Sequence, residues 1–382
     1  MIKMFQLRAE RIAEWSNNNP QPPVRVELHP TDRCNLKCRF CWQSSVDTID
    51  TLHELPDVKL YEIVNEAASI GVKEWIISGG GEPLVRKKTT MDILKLIKKH
   101  HMWGQLTTNG VLFNKDDIQT VVDIGWDQIQ FSIDSPDEKI HDYLRGLDGT
   151  FKKATENARV LSNVKERSGK KSTYLGFNTV LNRLNYKKLP EMIELCYDVG
   201  FQLVYFEPIY AGYVSKERLS LNNKEKEEMN TYIIEAIKTA KNLRINTNIQ
   251  QFMKKQLIDK SNFENTVLRE TEQHENAFLA APCYQPWYLM GIKGSGLAGC
   301  CSTFEIGEKI HNKTLEEVWY GNVFNNIRKC MLSKQLPDYC SKCSVVVVME
   351  NKEIRKRLGQ ILENRKRNSF GLKFKKLVGL IK

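Results

Sequence analysis

The sequence predicts an α/β protein: an open parallel sheet, built as a partial (β/α)6 barrel, with a small cysteine-rich domain after it. Three observations support this. Strand and helix patterns alternate repeatedly between residues 24 and 208, polar or glycine-rich turns follow the predicted strands, and cysteines cluster again after residue 282. The carboxyl ends of parallel strands carry the chemistry in such folds, so we expect the functional residues there.

The predicted strands either alternate in hydrophobicity or form short apolar runs bounded by turn residues. They are residues 24–29, 74–78, 103–107, 128–133, 173–181 and 202–206. The helices predicted between them show apolar residues at helical spacing. They are residues 57–70, 90–100, 115–122, 151–164 and 188–199.

The 382 residues are enough for one large domain and a smaller one. We predict five segments in chain order. They are an N-terminal extension (1–24), the barrel (25–210), a helical bridge (211–282), the cysteine-rich domain (283–350) and a basic amphipathic tail (351–382).

The net charge of +11 is concentrated in the tail, where residues 352–382 hold 11 basic and 2 acidic residues. The remaining chain is close to neutral, which argues against a nucleic-acid partner for the body. No apolar run approaches the roughly 20 residues of a membrane span. The first residues also lack a signal-peptide core, so we expect a cytoplasmic protein.

The most informative motif is Cys34, Cys38 and Cys41 in the run TDRCNLKCRFCW, directly after the first predicted strand. Three thiolates leave one corner of a cubane 4Fe-4S cluster open, and an open iron can bind a ligand. A structural zinc ion is the alternative, although zinc sites usually use four ligands, often as two separated pairs.

This arrangement resembles the radical S-adenosylmethionine (radical SAM) superfamily, whose signature is Cys-x3-Cys-x2-Cys with an aromatic residue, here Phe40, before the last cysteine. The resemblance implies that the open iron chelates the amino and carboxylate groups of SAM. It further implies reductive cleavage of SAM to methionine and a 5'-deoxyadenosyl radical, which abstracts hydrogen from a substrate. We expect a flavodoxin- or ferredoxin-type reductant.

The resemblance also assigns SAM contacts at the strand ends. The run Gly79–Pro83 resembles the family's Gly-Gly-Glu-Pro motif, with Gly80, Gly81 and Glu82 placed to meet the SAM ammonium group. Ordinary turn or cap roles are the alternative for every such residue. The other candidates are Phe40, Thr108, Asn109, Ser132, Asp134, Arg145 (for the SAM carboxylate) and Asn178.

A second cysteine set resembles the SPASM/Twitch extension of this superfamily, in its shorter Twitch form. The resemblance implies one auxiliary 4Fe-4S cluster, with Cys300 as a substitute for one ligand and zinc as the alternative metal. The predicted ligands are Cys283, Cys301, Cys340 and Cys343. Cys330 is interpreted as a non-ligand and Cys196 as a core thiol.

Three functions compete. The first is oxidation of a sugar, cyclitol or lipid-linked polyol, with the auxiliary cluster accepting an electron and Glu207 the preferred proton acceptor beside Tyr210 and Asp134. The second is modification of a peptide or protein. Against it, only 24 residues precede the first predicted strand, too few for a leader-peptide recognition domain. The third is a non-catalytic iron-sulfur electron carrier.

The tail has apolar residues at helical spacing with lysines beside them, typical of a helix that lies on a membrane surface. Anionic lipid attracts such a segment by about 1 kcal/mol per basic residue. This hypothesis would place the protein at the inner membrane surface, and a solvated tail is the alternative. The apolar residues are Phe370, Phe374, Leu377, Val378 and Ile381.

Overall fold

The computed structural model describes residues 2–45, 51–169, 173–209, 219–253, 271–301 and 306–377. Within these ranges the strands form one sheet in the order β10-β9-β8-β1-β2-β3-β4-β5-β6-β7. The strands are β1 Arg25–Leu28, β2 Glu74–Ile77, β3 Trp103–Thr108, β4 Gln128–Phe131, β5 Tyr174–Leu181, β6 Leu203–Pro208, β7 Asn246–Thr247, β8 Leu289–Ile292, β9 Leu297–Gly299 and β10 Glu308–Lys309.

All pairings from β8 through β1 to β7 are parallel, and only β8–β9 and β9–β10 are antiparallel. Between the described strands no pairing closes the sheet on itself, so the predicted open, partial barrel is confirmed. The strands of the cysteine-rich segment extend the same sheet, since β8 pairs with β1 from Arg25–Leu289 to Leu28–Ile292.

Helices connect the strands and cover the outside of the sheet. They are α1 Ile2–Trp15, α2 Asp57–Ser69, α3 Lys87–Lys99, α4 Lys115–Asp123, α5 Glu138–Arg145, α6 Thr150–Arg167, α7 Leu189–Asp198, α8 Asn223–Leu243, α9 Leu315–Trp319, α10 Asn322–Leu332 and α11 Val345–Leu377. Capping side chains and glycines set where several of these helices begin and end. Asn114 and Asp117 form a capping box at α4, and Gly71, with φ +88°, follows α2.

The apolar core lies between the sheet and these helices. Every residue of β4 is buried, and Trp75, Trp126 and Phe177 are completely buried. Gly104 on β3 is required by this packing, because a Cβ there would lie 2.1 Å from the Trp126 ring. The outer face of the sheet therefore packs against the helices, whereas residues of its inner face line a cavity.

Helix α5 was not predicted, because its eight residues are mostly polar and too few to show a clear apolar stripe. It forms because Asp137 caps it by accepting a hydrogen bond from Ile140 N, and because Gly146 ends it in the left-handed region at φ +73°. Burial of Leu144 and Arg145 fixes it against the rest of the barrel. This helix matters for the site described below.

Helix α11 begins at Val345, inside the predicted cysteine-rich domain, and packs along α1. Ile354 and Leu358 are completely buried, and Arg365 Nη2 lies 2.5 Å from Glu14 Oε1. The first part of the predicted tail is thus part of the fold. Among the described helices none is long and apolar enough to span a membrane. The apolar side chains predicted for membrane contact, at residues 370–381, lie outside the described side chains.

Candidate functional site

A cavity of about 2280 Å³ fills the inside of the partial barrel. Strand residues point alternately into and out of it, and the inward positions are mostly polar. The polar residues lining it include Glu27, Gln105, Gln128, Gln130, Asn178, Tyr205 and Glu207. A barrel interior of this kind is built to hold polar ligands rather than to pack as a core.

The three-cysteine loop follows β1 and lines the cavity with Cys34, Cys38 and Cys41. The Glu54 carboxylate holds the start of the loop, accepting hydrogen bonds from Thr31 Oγ1 at 2.6 Å and Asp32 N at 2.7 Å. Partial burial first, and then the neighbouring Cys38, Glu82 and Cys41 side chains, raise the pKa of Cys34 to about 11. The structure thus brings the three predicted ligands together at one end of the barrel.

The glycines after β2 pack directly against this loop. A Cβ on Gly80 would lie 1.7 Å from Asp32 Oδ1, and one on Gly81 would lie 2.0 Å from Arg33 O. Side chains at these positions would therefore displace the cysteine loop. Both glycines also line the cavity, so their predicted contact with SAM stays a prediction.

Glu82 ties the ends of β2 and β3 together. Its Oε1 accepts a hydrogen bond from Thr108 Oγ1 at 2.7 Å and its Oε2 accepts one from Asn109 N at 2.7 Å. Asn109 Nδ2 in turn donates to Asn35 Oδ1 on the cysteine loop at 2.8 Å. Burial raises the pKa of Glu82. Glu82, Thr108 and Asn109 all line the cavity, in reach of a ligand at the loop.

Arg145, at the end of α5, lies beside the cysteine loop. Its Nε lies 2.7 Å from Asp134 Oδ2 and its Nη1 lies 3.7 Å from Cys38 Sγ. Its guanidinium also lies 5.3 Å from the centre of the Phe40 ring. Arg145 and Phe40 line the cavity, whereas Asp134 is completely buried and is not among the described lining residues. Arg145 therefore has two partners that the sequence did not indicate.

Ser132, directly after β4, and Asn178, within β5, both line the cavity. The Oδ1 atom of Asn178 is buried and has no hydrogen-bond partner among the described residues. The same holds for Nδ1 of His29. Buried polar atoms that lack a protein partner are costly, so an ordered water or a bound ligand is the expected partner for both.

Glu207 on β6 faces Glu27 on β1 across the lumen. Burial first, and then the negative charge of Glu27, raise the pKa of Glu207 to about 7. Glu27 Oε1 lies 3.7 Å from His29 Nε2. Sequence reasoning missed Glu27 and His29, although polar residues at every second position of the first strand were an available signal. Tyr210, predicted beside Glu207, lies outside the described residues.

The second cysteine set lies next to β8 and β9. Cys283 precedes β8, and Cys300 and Cys301 directly follow β9. Burial first, and then the neighbouring thiols of Cys283, Cys301 and Cys340, raise the pKa of Cys343. Cys300 is also buried and shares a side-chain hydrogen bond with Cys301, so both remain candidate ligands. Sequence reasoning also missed a residue on α11 whose amide reaches this set. Asn351 donates from Nδ2 to Cys283 Sγ at 3.7 Å.

The donor set at the barrel mouth fits a cluster with one open iron. Three thiols line one end of a cavity, next to a turn in which side chains do not fit, and the unpartnered oxygen of Asn178 lines the same cavity. Thiolate sets are what iron-sulfur clusters use.

Residues 28–196 match the family model described as the radical SAM superfamily. Among curated proteins, a pre-heme d1 synthase from Dinoroseobacter shibae is 31% identical over 53% of this chain and 47% of its own length. A PqqA peptide cyclase from Gluconobacter oxydans is 24% identical over 85% of this chain and 83% of its own length. The chain spans about half the length of the synthase and of a second such cyclase, from Granulibacter bethesdensis.

Among solved structures, SuiB from Streptococcus suis bound to its precursor peptide SuiA has a TM-score of 0.62 at 18% identity, covering 85% of this chain and 73% of that chain. The same protein bound to S-adenosylmethionine also gives a TM-score of 0.62. At such low identity the likeness shows a shared fold, and this fold includes the partial barrel and part of the cysteine-rich segment.

Proposed function

Because residues 28–196 form a radical SAM domain, we propose that the chain is an enzyme that uses SAM-derived radical chemistry to modify a peptide or protein. The observation that carries this is the similarity to a PqqA peptide cyclase over 85% of the chain. A stretch of that length reaches into the cysteine-rich segment. The relatives thus favour the second of the three hypotheses over oxidation of a polyol.

The cavity is large enough for a peptide segment, and also for the lipid-linked polyol of the first hypothesis. Pockets for small molecules usually measure about 300–1,000 Å³. At about 2280 Å³ the lumen has room for a cofactor and for a substrate larger than a single sugar. Because amide and carboxylate side chains line it, it suits the backbone and polar side chains of a peptide segment.

The residues have the following proposed roles. Cys34, Cys38 and Cys41 would hold the cluster that, with SAM, supplies the 5'-deoxyadenosyl radical. Cys283, Cys301, Cys340 and Cys343 would hold an auxiliary cluster, which would serve as a one-electron acceptor, with Cys300 as the substitute for one ligand. Glu207 accepts a proton from the substrate, because its raised pKa of about 7 makes it a base near neutral pH. Asn178 and His29 offer hydrogen bonds that orient ligand in the lumen.

The test is an anaerobic assay of the reconstituted enzyme with SAM and dithionite. Short peptides encoded beside its gene are compared with an equimolar mixture of sugars and cyclitols. We expect a peptide to stimulate 5'-deoxyadenosine formation and to change in mass. Stimulation by a sugar or cyclitol, with every peptide unchanged, would restore the polyol hypothesis.

A further inference from the structure

Helix α5 holds the middle of the cysteine loop. Arg39 N donates to Leu144 O at 2.9 Å, and Arg39 Nε donates to Tyr143 O at 2.9 Å. Gly146, directly after the helix, approaches so closely that a Cβ there would lie 2.4 Å from Lys37 O. The loop residues on both sides of Cys38 are therefore fixed by the carboxyl end of one short helix.

Several further hydrogen bonds fix the position of α5. Asp142 accepts hydrogen bonds from Gly149 N at 2.6 Å and Phe151 N at 2.7 Å, which joins α5 to the start of α6. Asp134 N donates to His141 Nδ1 at 3.2 Å, and Asp134 Oδ1 accepts from Val180 N at 2.9 Å. These contacts leave Arg145 little freedom to turn away from the loop.

Arg145 is thus a buried cation, 7% exposed, set between the Asp134 carboxyl group and the Cys38 sulfur. On one side its Nε lies 2.7 Å from Asp134 Oδ2, and on the other its Nη1 lies 3.7 Å from Cys38 Sγ. Charges are weakly screened in such surroundings. Hydrogen bonds and charges next to a ligand sulfur change the reduction potential of an iron-sulfur cluster.

We propose that Arg145 is a positioning residue that raises the reduction potential of the cluster held by Cys34, Cys38 and Cys41, and that Asp134 limits this effect. Reduction adds an electron to the cluster. The guanidinium beside Cys38 stabilises that added negative charge, and the carboxylate of Asp134 opposes it. The proposal rests on the radical SAM cluster but is independent of whether the substrate is a peptide.

We expect substitutions of Arg145 and of Asp134 to shift the midpoint potential of this cluster in opposite directions. Arg145→Met removes the positive charge and the bond to Cys38, so the midpoint potential of this cluster falls. Asp134→Asn removes the opposing negative charge and keeps Arg145, so the potential rises. Arg145→Lys keeps the charge on a shorter donor, so its midpoint potential lies between those of wild type and Arg145→Met. Lys37→Met is the control, since this exposed lysine is also next to Cys38 and solvent screens its charge.

The measurement is an anaerobic redox titration of the reconstituted full-length variants without substrate, followed by electron paramagnetic resonance. The signal that changes when SAM is added identifies the open cluster. Potentials ordered Arg145→Met, Arg145→Lys, wild type and Asp134→Asn, from lowest to highest, support the proposal. Equal potentials in all of them, or shifts of the same sign for Arg145→Met and Asp134→Asn, overturn it and leave a merely structural pair.

Discussion

At the residue scale, the paired carboxyls of Glu207 and Glu27 have the largest consequence. They come from β6 and β1, which are far apart in the sheet order but face each other across the lumen. Bringing them together costs stability, because one of them resists ionisation near neutral pH. Such a cost at a cavity is typical of a functional position.

The loss of folding stability caused by Glu207 can be measured in the apoprotein. The pKa of Glu207 is about 7 in the folded chain, against an ordinary value of 4.5. As pH rises above 4.5 the unfolded chain ionises first, so the folded state loses relative stability until about pH 7. Glu207→Gln therefore stabilises the protein at pH 8, by up to about 3 kcal/mol, and by less at pH 5.5. Urea unfolding at both values tests this. The exposed Glu138→Gln is the surface control, and an equal effect of Glu207→Gln at both pH values would contradict the prediction.

The proposed role of Glu207 in catalysis gives a separate prediction. If Glu207 accepts the substrate proton, product formation rises with pH through about 7, where the carboxyl ionises. Glu207→Gln should form 5'-deoxyadenosine but little modified product. The two products are measured in the same anaerobic reaction. An unchanged ratio of product to 5'-deoxyadenosine in this variant would remove Glu207 from the mechanism.

Local sequence signals named the cysteine loop, because ligand spacing within a few residues is a property of the chain itself, and its role as a cluster site stays a prediction. They named Arg145 and Asp134 as candidate site residues but not the contacts of Arg145 with Asp134 and Cys38, which depend on the path of α5. The importance of Glu27 was missed for the same reason. Its importance depends on Glu207, about 180 residues away, and only the curvature of the sheet brings the two together.

At the scale of elements, α11 joins the cysteine-rich segment to the barrel. It starts two residues after Cys343 and carries Asn351, which donates to Cys283 Sγ. The preceding residue, Glu350, pairs with Arg8 of α1, and Arg8 Nη2 also lies 2.5 Å from Glu74 Oε2 on β2. A helix interpreted from sequence as a tail is therefore part of the scaffold of the site.

Two truncations separate these interpretations of the tail. Removing residues 352–382 deletes the buried Ile354 and Leu358, each worth about 2–5 kcal/mol, so we expect a large fall in Tm. Removing only residues 368–382 keeps every α11 contact named here and should leave Tm nearly unchanged. Only the shorter truncation is therefore a clean test of liposome binding. Equal Tm values for both truncations would contradict the packing of α11 on α1.

The ion pairs around Glu74 give another prediction at this scale. Burial alone would raise the pKa of Glu74, but Arg25 and Arg8 hold it at about 2. Its stabilising effect is present above pH 4.5 and is lost as pH falls towards 2. Glu74→Gln leaves Glu350 as the one remaining carboxylate partner described for the buried Arg8 and the partly buried Arg25, and should cost up to about 3–5 kcal/mol at pH 7. Urea unfolding measures this, with Glu138→Gln as the surface control, and a loss below about 1 kcal/mol would contradict it.

At the scale of the whole molecule, one sheet carries both cysteine sets. Periodicity in the sequence was enough for the alternating strands and helices, since each βα unit is a local pattern. The extension of that sheet by β8, β9 and β10 was not foreseen, because pairing of β1 with β8 joins residues more than 260 positions apart. The two candidate cluster sites thus belong to one continuous framework, which suits chemistry that moves electrons.

The central claim is that Cys34, Cys38 and Cys41 hold a cluster that cleaves SAM. The direct measurement is 5'-deoxyadenosine formed by the anaerobically reconstituted enzyme with SAM and dithionite. We predict formation by wild type, by Cys330→Ala as the control, and none above background by Cys38→Ala. No 5'-deoxyadenosine from cluster-loaded wild type, or equal amounts from Cys38→Ala, would contradict the account.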